Sequence, residues 1–330
     1  MEACVIVTYR CNARCQMCHT WQNPSRSEEE ISSNIMETLP AGLKKLNLTG
    51  GEPALREDLL DIVKVLAKKT NKLDISTNGY FTERLVEIGK KFPNVAFRIS
   101  VEGLPKLSDN LRGIKDGFDR ALRTVLRLRE VGVRDVGFGI VISDKNKNDL
   151  LDLYQLCASM GIEFGNSSMH NSFYFHKYDN IIEDIQGTVE QMHRFIEALL
   201  QSKRSGIKLR IKDWGRAYIN LGILKHIQRE NRLIPCGAGK DVFFLDPYGK
   251  ILACNGSEIP WVMGDLREES FDRIWNSSDA EEARKRVVNC NRACWMVGTA
   301  RPAMRKQPWI PLFWILKNKI KLTLGKNIWC

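Results

Sequence analysis

Cys11-Asn12-Ala13-Arg14-Cys15-Gln16-Met17-Cys18 follows directly on an apolar, β-rich run at residues 3–9. Three thiols at these spacings on one loop suit three irons of a four-iron cubane and leave the fourth iron open. A protein that only passes electrons would normally supply a fourth cysteine nearby, and none follows Cys18. Zinc is the competing occupant. It takes four ligands, and His19, the nearest further donor, sits beside Cys18 where its geometry is poor. An open iron next to a strand end is a place for a substrate-like ligand.

Working outward, short β-rich runs alternate with helical patterns. Strands are expected at residues 3–9, 45–49, 73–77, 95–101, 136–143 and 162–165. Between them lie apolar residues three or four apart, as in Leu59/Ile62/Val63/Leu66 and Phe118/Leu122/Val125/Leu128. Six strand–helix alternations predict an α/β fold with a parallel sheet and helical crossovers. That number suits a partial (β/α)6 barrel, with its chemistry at the C-terminal strand ends. After residue 201 the pattern changes. Residues 206–235 read as a linker with some helix. Asp246-Pro247-Tyr248-Gly249 between two short apolar runs reads as a hairpin turn. The expected divisions are 1–205 (barrel), 206–235 (linker), 236–298 (small domain) and 299–330 (tail).

Polar segments end the next strands. Gly50-Gly51-Glu52-Pro53 follows the second, with glycines that allow close backbone approach and a carboxylate able to accept from an ammonium group. Ser76-Thr77-Asn78-Gly79 ends the third strand, Ser100-Val101-Glu102-Gly103 the fourth, and Arg112 follows. The cysteine loop resembles the signature of the radical S-adenosylmethionine (SAM) superfamily, and residues 50–53 resemble its GGEP motif. The resemblance implies a [4Fe–4S] cluster on Cys11, Cys15 and Cys18 with SAM on the open iron. It also implies SAM contacts from Gly50, Gly51, Glu52, Pro53, Ser76, Asn78, Ser100, Glu102 and Arg112. Two residues depart from the family pattern. Met17 stands where an aromatic residue often packs on the adenine, and Glu102 where aspartate is commoner.

Cys236 and Cys254 bracket the hairpin, and Cys290 and Cys294 close the small domain. Four cysteines of this kind complete one site, for zinc or for a cluster. Residues 245–250, Gly264-Asp265-Leu266 and Cys290-Asn291-Arg292-Ala293-Cys294-Trp295 resemble the SPASM/Twitch extension of radical SAM proteins. Four cysteines match the shorter Twitch form, which implies one auxiliary [4Fe–4S] cluster. Cys4 and Cys157 read as core residues, and Cys330 as a terminal thiol.

Composition bounds the rest. The chain has 330 residues, 43% hydrophobic and 27% charged, with net charge +11. The first 300 residues carry 43 basic and 39 acidic groups, so no nucleic-acid partner is expected. Residues 301–330 hold seven Lys or Arg and no Asp or Glu, interleaved with Trp309, Phe313, Trp314 and several aliphatic residues. That mixture suits either docking on the barrel or a segment lying on an anionic membrane. No secretory signal is evident at residues 1–10. The expected location is the cytoplasm, with peripheral membrane contact if the tail binds lipid.

After the sixth strand, His170, Tyr174, His176, Tyr178 and Asp179 are candidates for proton transfer or hydrogen bonding. His170, Tyr174 and His176 lead that set. Lys212, Asp213 and Arg216 read as surface. The resemblance implies one-electron cleavage of SAM to a 5′-deoxyadenosyl radical, fed by a reductant such as flavodoxin or ferredoxin. The expected substrate is a small molecule, sugar-like or lipid-linked, undergoing oxidation or epimerisation. Peptide modification is the alternative. It is less expected because the barrel begins at residue 3, with no recognition domain before it. A non-enzymatic iron–sulfur or zinc protein is a third class.

Overall fold

The computed structural model describes residues 1–329, so Cys330 lies outside the described residues. In chain order the first elements are β1 (Glu2–Ile6), α1 (Ser33–Met36), β2 (Lys45–Thr49), α2 (Leu59–Lys69), β3 (Leu73–Thr77), α3 (Thr82–Lys91), β4 (Ala96–Ser100), α4 (Pro105–Arg112), α5 (Gly117–Glu130) and β5 (Val136–Ile142). Then come α6 (Leu150–Ser159), β6 (Glu163–Ser168), α7 (Ile185–Leu200) and α8 (Ile207–Ile227). The last are β7 (Val242–Leu245), β8 (Lys250–Leu252), β9 (Val262–Asp265), α9 (Phe271–Trp275), α10 (Ser278–Val288), α11 (Val297–Lys306) and α12 (Trp309–Thr323). All six expected strands form, each followed by helix, as the (β/α)6 reading requires.

The chain divides into two compact units. The first holds Met1–Ile140, His170–Asn180 and Ala238–Cys290; the second holds Val141–Met169, Ile181–Gly237 and Asn291–Cys330. Residues 236–298 are thus shared between the two units.

In the first unit the strands lie in the order β5-β4-β3-β2-β1-β7-β8-β9. β1 to β5 pair in parallel, and β7 extends the sheet by pairing in parallel with β1. The hairpin β7–β8 and β9 continue it antiparallel. Strand residues alternate by face, as a pleated strand requires. Val5, Leu46, Leu48, Ile75, Phe97, Ile99 and Phe138 are buried. Phe118 of α5 meets Phe138 with 5.8 Å between ring centroids. The opposite face presents Cys4, Asn47, Ser76, Arg98, Ser100 and Gly139, all half-exposed. Cys4 lies on that face, half-exposed yet raised to a pKa of about 11 by burial, while Cys157 of α6 is fully buried as expected.

The second unit is built around α8. The expected linker is in fact a continuous 21-residue helix, and everything from Arg216 to Leu224 is buried. A helix buried on all sides has no amphipathic period to read, and Gly215 in its interior looks like a break. Gly222 is needed there for contact. A Cβ on it would come within 2.0 Å of the Trp295 ring, whose Nε1 donates to the Ile219 carbonyl at 2.9 Å. Tyr154, Phe164 and Phe195 form an edge-packed trio beside α7.

Lys212, Asp213 and Arg216 are not a plain surface cluster. Asp213 is fully buried and accepts from Arg216 (2.8 Å), Ser202 (2.7 Å) and Tyr154 (2.9 Å). Arg216 also pairs with the buried Glu163 of β6, which Lys212 reaches from the more exposed side. Burial opposes ionisation of Glu163, but Arg216 and Lys212 outweigh it and hold its pKa at about 2. A depressed carboxylate stabilises the fold above its ordinary value. That contribution is lost as pH falls from 4.5 toward about 2. Glu163→Gln leaves Arg216 with a buried, half-compensated charge. It is expected to cost about 3 kcal/mol at neutral pH and to flatten the acid limb of the stability curve. Urea denaturation from pH 7 to pH 2.5 measures both; an unchanged midpoint at neutral pH would show that the pair contributes nothing net.

Candidate active site

The cysteine loop leaves β1 and is held from two sides. Arg14 N donates to the Arg112 carbonyl and Gln16 N to the Leu111 carbonyl, both at 2.9 Å, which ties the loop to the end of α4. From the other side Gly51 N donates to Thr8 O at 2.7 Å and Glu52 N to Arg10 O at 2.8 Å. The glycines at 50 and 51 serve this approach. A Cβ on Gly50 would sit 2.7 Å from Thr8 O, and one on Gly51 2.3 Å from Arg10 O. Gly113, at φ +57°, would likewise bring a Cβ to 2.7 Å from Arg14 O.

Below the loop lies a second tie that sequence reading missed. The buried Glu30 carboxylate accepts from Ser25 (2.6 Å), Arg10 (2.7 Å) and Arg56 (3.1 Å), and also from Thr8. Arg10 immediately precedes Cys11, so Glu30 fixes the start of the thiol-bearing segment. Residues 25–30 carry no motif that would have marked it.

Glu52 is wholly buried and already engaged. Its Oε1 accepts from Ala54 N (2.9 Å) and Thr77 Oγ1 (2.6 Å), and its Oε2 from Asn78 N (2.7 Å). Burial raises its pKa, and these three donors oppose the rise. The expected free carboxylate for an ammonium ion is thus first a clamp between the residue 50–53 turn and the end of β3. Asn78 continues the clamp: its Nδ2 donates to Asn12 Oδ1 at 2.7 Å, inside the cysteine loop. Ser76 lies on the open sheet face, donating to Asn47 Oδ1 at 3.0 Å. Ser100 ends β4 on that same face.

Glu102 and Arg112, expected as separate ligand contacts, pair with each other at 2.9 Å. Arg112 is raised above its ordinary pKa despite burial, because Cys15, Glu102, Cys11 and Glu52 all face it. Its buried Nε–H has no partner in the protein. Burial pushes Cys11 up to about 12, with Cys15 and Glu52 adding to the rise; burial pushes Cys15 up to about 11, against the pull of Arg112. Cys18 Sγ lies 2.8 Å from Thr20 Oγ1. Met17 is half-buried, and its carbonyl accepts from Asn180 Nδ2 at 3.0 Å. Among the described residues no three His, Cys, Asp or Glu side chains converge as one metal ion would need. A cubane does not ask for convergence, since each cysteine takes a different iron. Three half-buried thiols on a pinned loop, beside a buried guanidinium with an orphan N–H, fit a cluster with an anionic ligand.

Residues 170–180 pack between cysteine-bearing loops of the first unit. Ser172 and Lys177 bridge, and a 3₁₀ turn at Phe173–Phe175 lies between them. His19 N donates to Phe175 O at 2.8 Å, just after Cys18, while Phe173 N donates to Ser257 O at 3.0 Å, just after Cys254. Tyr174 is 3% exposed, burial raises its pKa, and its hydroxyl has no partner. His176 stands edge-on to Tyr9, 5.4 Å between centroids, and burial lowers its pKa. His170 packs against Phe175 at 5.0 Å. Tyr178 and Asp179 are exposed, and Asp179 pairs with Lys177 at 3.0 Å.

Of the second cysteine set, Cys254 is buried and Cys290 exposed in the first unit. In the second unit, burial raises the Cys294 pKa; Arg232 opposes that and the neighbouring Cys236 adds to it. Cys294 precedes Trp295, which is seated on Gly222.

Residues 5–157 match the model of the radical SAM superfamily, and residues 236–295 match that of an iron–sulfur cluster-binding domain, SPASM. The chain belongs to the radical SAM superfamily and carries a SPASM-type domain. The first domain implies a [4Fe–4S] cluster and SAM, the second auxiliary iron–sulfur clusters. The chain is 23% identical to the sporulation killing factor maturation protein SkfB of Bacillus subtilis (strain 168), over 86% of this chain and 67% of SkfB. It is 24% identical to the mycofactocin maturase MftC of Mycolicibacterium smegmatis (strain ATCC 700084 / mc(2)155), over 83% of this chain and 69% of MftC. The solved structure of Streptococcus suis SuiB shares the fold, with TM-score 0.64 and 18% identity over 88% of this chain and 68% of SuiB. Further curated relatives align over 46–48% of this chain and 39–53% of their own length.

The clamp makes a stability prediction. Glu52→Ala strands three buried donors, each costing about 1–3 kcal/mol when unpaired. The apo protein is expected to lose at least about 3 kcal/mol in urea denaturation. A loss below about 1 kcal/mol would mean that the carboxylate is not a clamp.

Proposed function

We propose that this chain is a peptide-modifying radical SAM maturase. The observation that carries the reading is alignment along 86% and 83% of the chain with two maturation proteins, SkfB and MftC. The shared fold with SuiB, also solved bound to its precursor peptide SuiA, supports it. The expected small-molecule or lipid-linked substrate has no such support. The half-exposed sheet face of Cys4, Asn47, Ser76 and Ser100, with glycine at 139 on β5, offers polar groups to a peptide substrate.

In this reading Cys11, Cys15 and Cys18 hold the SAM-binding cluster. Cys236, Cys254, Cys290 and Cys294 are the cysteines that the SPASM-type segment brings for auxiliary iron–sulfur ligation. When bound, the cluster and SAM supply a carbon radical that takes hydrogen from an unactivated C–H bond, given one electron from a flavodoxin- or ferredoxin-like reductant. The protein's part is placement. Arg112, held by Glu102, offsets the negative charge of the thiolates and offers its free Nε–H to a ligand carboxylate. The clamp through Glu52, Asn78 and Asn12 fixes the loop, and Met17 stands in for an aromatic platform. His170, Tyr174 and His176 are assigned to packing rather than to proton transfer.

Anaerobic reconstitution should give about eight irons per chain from two four-iron clusters. The triple Cys11/Cys15/Cys18→Ala variant should lose about half of them and all 5′-deoxyadenosine formation. Stoichiometric zinc with little iron would contradict the cluster assignment. For the substrate, deuterium transfer into 5′-deoxyadenosine should occur from deuterated precursor peptides. Transfer from nucleotide or lipid-linked sugars, with none from peptides, would overturn the maturase reading and restore the small-molecule one.

A further inference from the structure

The C-terminal segment is neither a loose tail nor fully docked. It forms α11 and α12, and α12 packs in the second unit with Pro311, Ile315 and Asn318 buried. Lys319 Nζ donates to the Leu200 carbonyl at 2.8 Å and lies 4.1 Å above the Trp214 ring. Past the helix, Trp329 stacks on His193 with centroids 3.7 Å apart, and its Nε1 donates to Glu197 at 2.6 Å. The helix is therefore fixed to α7 and α8.

Its other face is apolar and uncovered. Trp309, Leu312, Phe313, Leu316 and Ile320 are 63%, 55%, 71%, 52% and 61% exposed. At about 100° per residue these five fall within an arc of about 100°, along roughly 16 Å of helix. Lys317 is exposed beside the row, and Lys326 is exposed just beyond the helix. No helix of the described residues is long and apolar enough to cross a membrane.

We propose that α12 is a membrane-surface helix that seats this row in the interface of an anionic bilayer. The charge argues for it: residues 301–330 carry seven basic groups and no acidic one, and anionic headgroups attract such a flank. A second copy seated on the same face would oppose like charges. The row offers one hydrogen-bonding group, the Trp309 indole, whereas a protein interface needs about one hydrogen bond per 100–200 Å². A lipid interface asks for none. The proposal does not depend on the substrate class.

The test is sedimentation of the reconstituted full chain with vesicles of phosphatidylcholine alone and of phosphatidylcholine mixed with phosphatidylserine. Pelleting is expected to require the anionic lipid. Lys317→Glu with Lys326→Glu should weaken it by at least about tenfold, and Phe313→Asp with Leu316→Asp on the order of 100-fold. All four side chains are exposed, so both variants should fold; circular dichroism checks this. Absence of pelleting, equal pelleting on neutral vesicles, or binding unchanged in both variants would overturn the proposal. So would a concentration-dependent dimer, abolished by Phe313→Asp with Leu316→Asp, without vesicle binding.

Discussion

Everything around the cysteine loop depends on one buried carboxylate. Glu52 reaches the loop through its own N–H on Arg10 O, and the end of β3 through Thr77 and Asn78. A wholly buried carboxylate is costly unless hydrogen-bonded, and here three donors from two segments meet that need. The backbone N–H groups of Gly51 and Glu52, bonded to Thr8 O and Arg10 O, set the spacing between the first two strand ends. At that spacing a Cβ at residue 50 or 51 would collide with the loop backbone, so the two glycines and the acid act as one device.

The short turn after residue 172 extends that device across the first unit. It receives His19 N on one side and delivers Phe173 N to Ser257 O on the other. Cys18 and Cys254 each lie within three residues of a bond to this turn. Tyr174 is buried in it, and His176 packs edge-on against Tyr9. A rigid spacer suits a protein whose two cysteine loops must keep a fixed separation.

How much of this was legible follows from the kind of signal each part carries. The strands were legible because β1 to β6 combine β-branched runs with punctuating loops, and their observed bounds differ from the expected ones by a few residues at the ends. The cysteine loop was legible because spacing alone encodes thiolate geometry. The Glu102–Arg112 pair was not, because ten residues in sequence say nothing about two side chains meeting across a strand end and a helix. Nor was α8, whose buried stretch erases the periodicity on which helix reading rests. The polar run at residues 170–180 looked catalytic because hydrogen-bonding side chains are the usual sign of a site. Burial of Tyr174 and the backbone bonds of its neighbours add a packing role, for which the sequence carries no signal.

Arg112 shows why the site needs more than a motif. Around it stand Cys11, Cys15, Glu52 and Glu102, and its charge opposes the rise that burial imposes on both thiols. Deprotonating the three loop thiols for a cluster adds negative charge where two carboxylates are already buried. A guanidinium can donate to Glu102 through one nitrogen and keep Nε–H directed elsewhere, because its donors are fixed in a planar fork. A lysine ammonium in this place would be a single point charge and would lose pKa on burial. The arginine stays charged when the loop is empty and when it is loaded. The loop can therefore fold with protonated thiols and still accept a negatively charged assembly without rearranging its neighbours.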